Sequence, residues 1–268
     1  MMLDAACSAG KLGATSYAAQ GHGDVVVLIH GVGLAKEAWN SLAKALARNY
    51  RVVAYDMLGH GSSDLPPEHV ELRAYAQQFI DLLDGLGIES ANVVGHSMGA
   101  LVALETALAF PDRVKRVAAL NSVFERTEEQ RSAVRARAAS LRECGIRQSV
   151  KPTIARWFGD PVPEVLRQVA DDIERLLEQA DPVGYARTYE LFASSDRAHS
   201  DRLGEMQVPA LFMTAEFDGN SMPSMSLAMA ALAPHAKAVM VPGARHMMTV
   251  THSQKVLEEL EYFLDQEV

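Results

Sequence analysis

Cysteine is almost missing from this chain of 268 residues: Cys7 and Cys144 are its only two. Two thiols build no disulfide framework, and no Cys/His spacing resembles a zinc site. The expectation is therefore a pair of unpaired thiols in a reducing cytoplasm, with no metal. Positive charge is also in deficit, with 25 lysines and arginines against 34 aspartates and glutamates, a net charge of −9. No basic run stands out that would neutralise phosphates, which excludes nucleic acid as a partner. No apolar stretch approaches the ~20 residues that cross a bilayer. Residues 1–15 lack the basic start and apolar core of a secretory signal. These absences leave a cytoplasmic protein, monomer or homodimer, that meets a small-molecule substrate and neither membrane nor nucleic acid.

What is present is the composition of an ordinary globular protein, 49% hydrophobic and 22% charged. Strand and helix signals alternate along it. Residues 13–19 are weakly strand-like and 21–24 read as a turn. Val25-Val26-Val27-Leu28-Ile29 is a continuous apolar run, the mark of a strand buried on both faces. A helix is expected over 36–48, with Trp39, Leu42, Ala43 and Leu46 at helical spacing. A strand over 51–55 and an amphipathic helix over 72–86 follow. Residues 91–95 form the next strand, and the helix after it is apolar nearly all round until Pro111 ends it. A strand over 114–120 closes this half. Late in the chain the pattern resumes, with strands over 209–214 and 236–241 and helices over 224–232 and 253–264. Such alternation predicts a mostly parallel, doubly wound α/β sheet covered by helices on both faces. Ligands in such sheets bind beyond the carboxyl ends of the strands.

Between the two halves, residues 122–199 lose every strand signal and turn rich in arginine, glutamate and alanine. Val165, Leu166, Val169, Ile173, Leu176 and Leu177 make one helical stripe there. The segment reads as a helical lid over 122–199, inserted into a core made of 1–121 and 200–268, where it would close a pocket and choose the substrate.

The chemistry centres on Gly95-His96-Ser97-Met98-Gly99. A Gly-x-Ser-x-Gly pentapeptide between an apolar strand and an apolar helix has the layout of a nucleophile elbow. Glycines on either side avoid collision between strand and helix around a strained serine. The helix start offers free backbone N–H groups to a developing oxyanion. A serine hydroxyl needs a base within reach and a third group that orients the base. Of nine histidines, His246 is the best base, in the turn Pro242-Gly243-Ala244-Arg245-His246 after a late strand. His252 falls at the start of the last helix, and His96 should point away from Ser97. His30 and His60 sit in pocket-forming loops as hydrogen-bonding groups. Asp218 is the choice for the orienting carboxylate, with Glu216 its competitor; Asn121 occupies another strand end but does not ionise. The order Ser97, Asp218, His246 is the one expected of an elbow.

Taken together, His30-Gly31-Val32-Gly33, Asp56-Met57-Leu58-Gly59-His60-Gly61-Ser62-Ser63-Asp64, the elbow, the Asp218 loop and His246 resemble the α/β-hydrolase superfamily. The resemblance covers essentially the whole chain outside 122–199 and is nearest to the cofactor-free esterase, enol-lactonase and carbon–carbon hydrolase branch. It implies that fold, no cofactor, Ser97 as nucleophile, His246 as base and Asp218 as its partner. It also implies an oxyanion hole from the backbone N–H groups of Val32 and Met98. The implied reaction is hydrolysis of a small carboxylic ester, lactone or related acyl substrate through an acyl-enzyme. Epoxide hydrolases and haloalkane dehalogenases of this fold place aspartate at the nucleophile, and serine argues against both.

Met247 stands where carbon–carbon hydrolases usually carry an aromatic residue. Cleavage of a ring-cleavage-type diketone thus becomes an alternative, beside amide hydrolysis. A slow-turnover ligand receptor or signalling protein on the same fold is an alternative of another class. Trp157, Phe124, Tyr189 and Asn121 are the candidate substrate contacts. Arg126, Arg142 and Arg156 are able to bind a substrate carboxylate, although such arginines more often form a solvated helix face paired with glutamates.

Overall fold

The computed structural model describes residues 8–266. Cys7 and the first part of the stretch read for a signal lie outside them. Eight strands form one sheet: β1 (Ser8–Leu12), β2 (Thr15–Gln20), β3 (Val25–Ile29), β4 (Arg51–Tyr55), β5 (Ala91–His96), β6 (Val114–Leu120), β7 (Ala210–Ala215) and β8 (Ala236–Val241). Their order is β1-β2-β4-β3-β5-β6-β7-β8. β2 runs antiparallel to both its neighbours, and every other pairing is parallel. The chain therefore starts with a hairpin at one edge and then winds α/β units through the rest.

Helices α1 (Asn40–Leu46), α2 (Leu72–Gly85) and α3 (Met98–Ala109) join the first parallel strands. Between β6 and β7 come α4 (Glu128–Cys144), α5 (Arg147–Phe158), α6 (Arg167–Gln179) and α7 (Pro182–Ser194). After β7 follow α8 (Pro223–Leu232), α9 (Met248–Thr251) and α10 (Ser253–Leu264). Among the described residues no helix is long and apolar enough to cross a membrane.

The apolar run of β3 is explained by its two burdens. Val27 and Ile29 join a core with Phe79 and Leu83 of α2 and Leu101 and Leu104 of α3. Val26 and Leu28 face the opposite core, with Leu42 and Leu46 of α1 and Val256 and Leu260 of α10. Alternate residues of one strand thus serve both faces, so no position in it is free to be polar. Helix α3 shows the same logic in helical form: residues 98–107 are buried all round.

Three expectations meet a different structure. The weak strand over 13–19 is half of a hairpin, since β1 pairs with β2 across a turn in which Gly13 takes φ +52°. β1 is mostly exposed, so burial left no apolar pattern to read. The helix over 36–48 begins as a 3-10 turn, Lys36–Trp39, before α1. Val165 does not belong to the buried stripe: it precedes α6 and is 89% exposed, while Ala170, Ile173 and Leu177 make the buried face.

Candidate active site

β5 ends at His96, α3 begins at Met98, and Ser97 alone makes the turn, with φ +57° and ψ −116°. A non-glycine residue in that region stores on the order of 1–3 kcal/mol, so its surroundings must over-determine it. Ser97 N–H donates to the Leu120 carbonyl of β6 at 2.8 Å, and the Ser97 carbonyl accepts from Ala100 N–H at 3.0 Å. The flanking glycines are a steric necessity. A methyl group on Gly95 would lie 2.0 Å from the Gly99 carbonyl oxygen, and one on Gly99 would lie 2.2 Å from that of Ile29. Ser97 is not an ordinary capping serine either, because its side chain makes no capping hydrogen bond to α3. The hydroxyl is left free for another task.

Asp218 and His246 arrive from the loops that follow β7 and β8. His246 Nδ1–H donates to Asp218 Oδ2 at 2.7 Å, with both residues buried. An ionised carboxylate only accepts, so the proton sits on Nδ1 and Nε2 is left as an acceptor. Two further donors hold the carboxylate: Asn121 Nδ2 on Oδ2 at 2.7 Å and the Asn220 N–H on Oδ1 at 2.8 Å. Burial works to raise the Asp218 carboxyl. The neighbouring His246 and these hydrogen bonds outweigh it and hold the group below the ordinary carboxylate range.

The imidazole of His246 is fixed from two sides. His96 Nε2–H donates to the His246 carbonyl at 2.9 Å, and the two rings lie 5.0 Å apart. The Trp157 ring lies 5.3 Å from the His246 ring, at 31°. Among the described residues no hydrogen bond links Ser97 to His246; His96, adjacent to Ser97, bridges the turn and His246. Nucleophile–base hydrogen bonds often tighten only when substrate is bound.

Glu216, the competing carboxylate, accepts from Gly243 N–H at 2.8 Å and serves the turn. His252 pairs with the Thr251 hydroxyl at the start of α10.

The turn after β3 is braced by buried histidines. His30 Nδ1–H donates to the Gly31 carbonyl at 2.7 Å, and its Nε2 accepts from Met57 N–H at 3.0 Å. His60 Nε2 accepts from Gly33 N–H at 3.0 Å. Burial lowers His30, and lowers His60 and His96 to about 3, so all three are neutral at pH 7. Asp56 closes the same loop, accepting from Lys36 N–H and from Ser62 N–H and pairing with Lys36 Nζ at 2.8 Å. A methyl group on Gly31 would meet Ser97 Cβ at 3.2 Å, which puts the turn carrying Val32 directly against the elbow. Met98, at the first position of α3, has a backbone N–H with no acceptor within the helix.

The expected substrate contacts separate. Trp157 packs beside His246. Phe124 is buried. Asn121, also buried and at φ +50°, turns its amide to Asp218 rather than to a pocket. Its role as a second donor to the carboxylate is one that its sequence position did not reveal. Tyr189 stacks on Tyr185, ring centroids 5.8 Å apart. Both line a cavity of about 200 Å³ with Arg137, Thr153 and Arg156. Arg142 is exposed and pairs with Glu190 at 3.3 Å. Among the described residues no group of three or more His, Cys, Asp and Glu is arranged to hold a metal ion.

The family model described as alpha/beta hydrolase fold matches residues 24–253. A curated relative from Acinetobacter baylyi, (E)-2-((N-methylformamido)methylene)succinate hydrolase, is 33% identical over 249 residues, 93% of this chain and 93% of its own. From the same organism, 3-oxoadipate enol-lactonase 1 is 30% identical over 193 residues, 72% of this chain and 71% of its own. The crystal structure of the enol-lactonase from Burkholderia xenovorans superposes with a TM-score of 0.86 at 24% identity, covering 97% of this chain and 100% of that one.

Proposed function

This chain belongs to the α/β-hydrolase fold family and is a hydrolase, and on that premise we propose that it cleaves a small carboxylic ester, lactone or related acyl substrate through a Ser97 acyl-enzyme. The observation that carries this reading is the buried 2.7 Å bond from His246 Nδ1–H to Asp218, beside an uncapped serine in strained geometry. That bond leaves His246 Nε2 as the base.

In the first step the Ser97 hydroxyl oxygen attacks the acyl carbon while His246 Nε2 takes its proton. Asp218, held ionised by its three donors, stabilises the imidazolium that forms. The backbone N–H groups of Val32 and Met98 receive the oxyanion; one such donor contributes roughly 3 kcal/mol. The imidazolium then protonates the leaving alkoxide or enolate, and the acyl group stays on Ser97. Water attacks the acyl-enzyme with His246 again as base, releasing the acid and restoring the hydroxyl.

Residues 122–199 would act as the lid, with Trp157 of α5 packed over the base. The names of the two curated relatives, an (N-methylformamido)methylene-succinate hydrolase and an enol-lactonase, support a small acyl substrate.

A panel of p-nitrophenyl esters and enol-lactones, run on wild type and Ser97→Ala, tests the reading. Turnover should fall roughly 10⁴-fold or more in the variant. Equal turnover in both proteins would sink the serine mechanism. Tight ligand binding with no turnover in either would favour the receptor alternative.

A further inference from the structure

Among the arginines of the helical segment and the loop before it, Arg126 and Arg131 share an anion that the chain provides, and Arg137 and Arg156 do not. Arg126 lies 3.6 Å from Asp196, donates to the Phe192 carbonyl at 3.2 Å and covers the Phe192 ring. Arg131 takes the other oxygen of Asp196 at 3.3 Å. Arg137 of α4 and Arg156 of α5 have no such partner: among the described residues no carboxylate lies within 4.0 Å of either. Arg137 donates to the Tyr189 hydroxyl at 3.1 Å. Arg156 reaches only its own helix, the Thr153 hydroxyl at 3.0 Å and the Pro152 carbonyl at 3.4 Å, and its Nε is buried with no acceptor.

Both guanidinium groups line two adjoining cavities. One holds about 200 Å³ beside Tyr185 and Tyr189, the other about 160 Å³ beside Arg126, Phe192, Gly219 and Asn220. Gly219 and Asn220 directly follow Asp218, and the Asn220 N–H binds its carboxylate. Trp157, next to Arg156, lies against His246. The arginine cavities thus adjoin the loop and the helix that frame the base.

Placing two like charges at one cavity is unfavourable. Burial and the facing Arg137 charge both push the Arg156 guanidinium down. A desolvated cation is tolerated when an anion completes it. Guanidinium forks match planar carboxylates in two-point geometry. The arrangement also runs against the chain as a whole, whose net charge of −9 repels anions at long range. The attraction is local and sits beside the loop that carries Asp218.

We infer that Arg137 and Arg156 form a carboxylate anchor, and that the substrate is an acyl compound carrying a free carboxylate, such as a dicarboxylic half-ester or a lactone acid. The inference deepens the serine-hydrolase reading and rests on it for the bond that is cleaved, but the anchor is testable by itself.

The kinetic test compares mono-p-nitrophenyl succinate with the neutral p-nitrophenyl butyrate, similar in length. Wild type should prefer the charged ester in kcat/KM. Arg137→Gln and Arg156→Gln should each lower that preference roughly 10–100-fold, chiefly through KM, the scale of one lost hydrogen-bonded charge contact. Arg167→Gln, exposed, paired with Glu164 and lining neither cavity, should leave the preference unchanged. The binding test uses Ser97→Ala, which separates the anchor from catalysis. Succinate, glutarate or adipate should bind it by calorimetry and raise its Tm, and either arginine substitution added to it should remove both effects. Arg156→Gln should fold, because it deletes a buried charge that has no partner. The inference is overturned if both esters are affected alike by the arginine variants, or if wild type shows no preference. Dicarboxylate binding that survives both substitutions would overturn it too. Ser97→Ala that hydrolyses both esters at the wild-type rate would instead refute the serine reading, with the binding test still deciding the anchor.

Discussion

Replacing Asp218 by asparagine is the sharpest perturbation of the site, because three donors converge on the carboxylate and an amide cannot satisfy all of them. His246 Nδ1–H and Asn121 Nδ2–H both point at Oδ2, and the Asn220 N–H points at Oδ1. The substituted amide has two orientations. With its oxygen at the Oδ2 position it keeps two bonds and the His246 tautomer, but its NH₂ faces the Asn220 N–H and the negative charge is gone. An imidazolium and a carboxylate about 4 Å apart attract by about 4 kcal/mol at an effective dielectric of about 20, or about three decades in rate. With the NH₂ at the Oδ2 position it opposes Asn121 and forces Nδ1 of His246 to accept. The ring proton then moves to Nε2, and the base that Ser97 needs is lost, at a cost of about 10⁴-fold. Both orientations predict that kcat/KM on p-nitrophenyl butyrate falls about 10³–10⁴-fold at pH 7.5. Far-UV circular dichroism should be unchanged, which separates the effect from unfolding. An Asp218→Asn enzyme within tenfold of wild type would refute the assignment and return Glu216 to consideration.

Two further outcomes follow from burial. His60 and His96 are held neutral down to about 3 in the folded state, whereas the unfolded chain protonates its histidines below about 6.5. The unfolded state therefore binds more protons between those values, and stability falls as pH drops through that window. At pH 5 each histidine costs about 2 kcal/mol, about 4 together, with His30 acting in the same direction. Urea unfolding at pH 7.5 and 5.0 measures this, and a difference below about 1 kcal/mol would contradict it. Gly99→Ala should lower the thermal midpoint by about 10 °C or prevent folding, since its methyl would meet two backbone carbonyl oxygens at 2.2 and 2.5 Å. Gly204→Ala, whose nearest neighbour would be 3.9 Å away, should leave the midpoint unchanged in the same calorimetric scan.

Much of this arrangement is legible in the order of residues. The strands at 114–120 and 236–241 and the helix at 253–264 have the bounds the apolar pattern predicts. Local features hide where burial leaves no mark. β1 is mostly exposed and carries no apolar alternation, and so its hairpin with β2 is invisible in the pattern. The start of α4 does carry a local signal, of hydrogen bonding rather than hydropathy. Thr127-x-x-Gln130 is a capping box, with Thr127 Oγ1 accepting from Gln130 N–H at 3.2 Å and Gln130 Oε1 accepting from Thr127 N–H at 2.9 Å.

The sequence by itself determined the sheet class, and it marked the elbow and the candidate triad. The reason is that these depend on neighbours in the chain or on position at a strand end. Glycine at 95 and 99 is required by backbone atoms of the same turn and the adjoining strand, and no substitution elsewhere would relieve it. Only the tertiary structure decided what each polar side chain faces. Arg126, Arg142 and Arg156 look alike in sequence. Helix packing gives the first an aspartate, leaves the second on the surface beside Glu190, and leaves the third with no anion at a cavity. In the same way Trp157 meets His246, and Asn121 meets Asp218, across distances in the chain that no periodicity spans. Hydrophobic pattern states that a segment is buried; the partner of a buried charge is settled by three-dimensional packing alone.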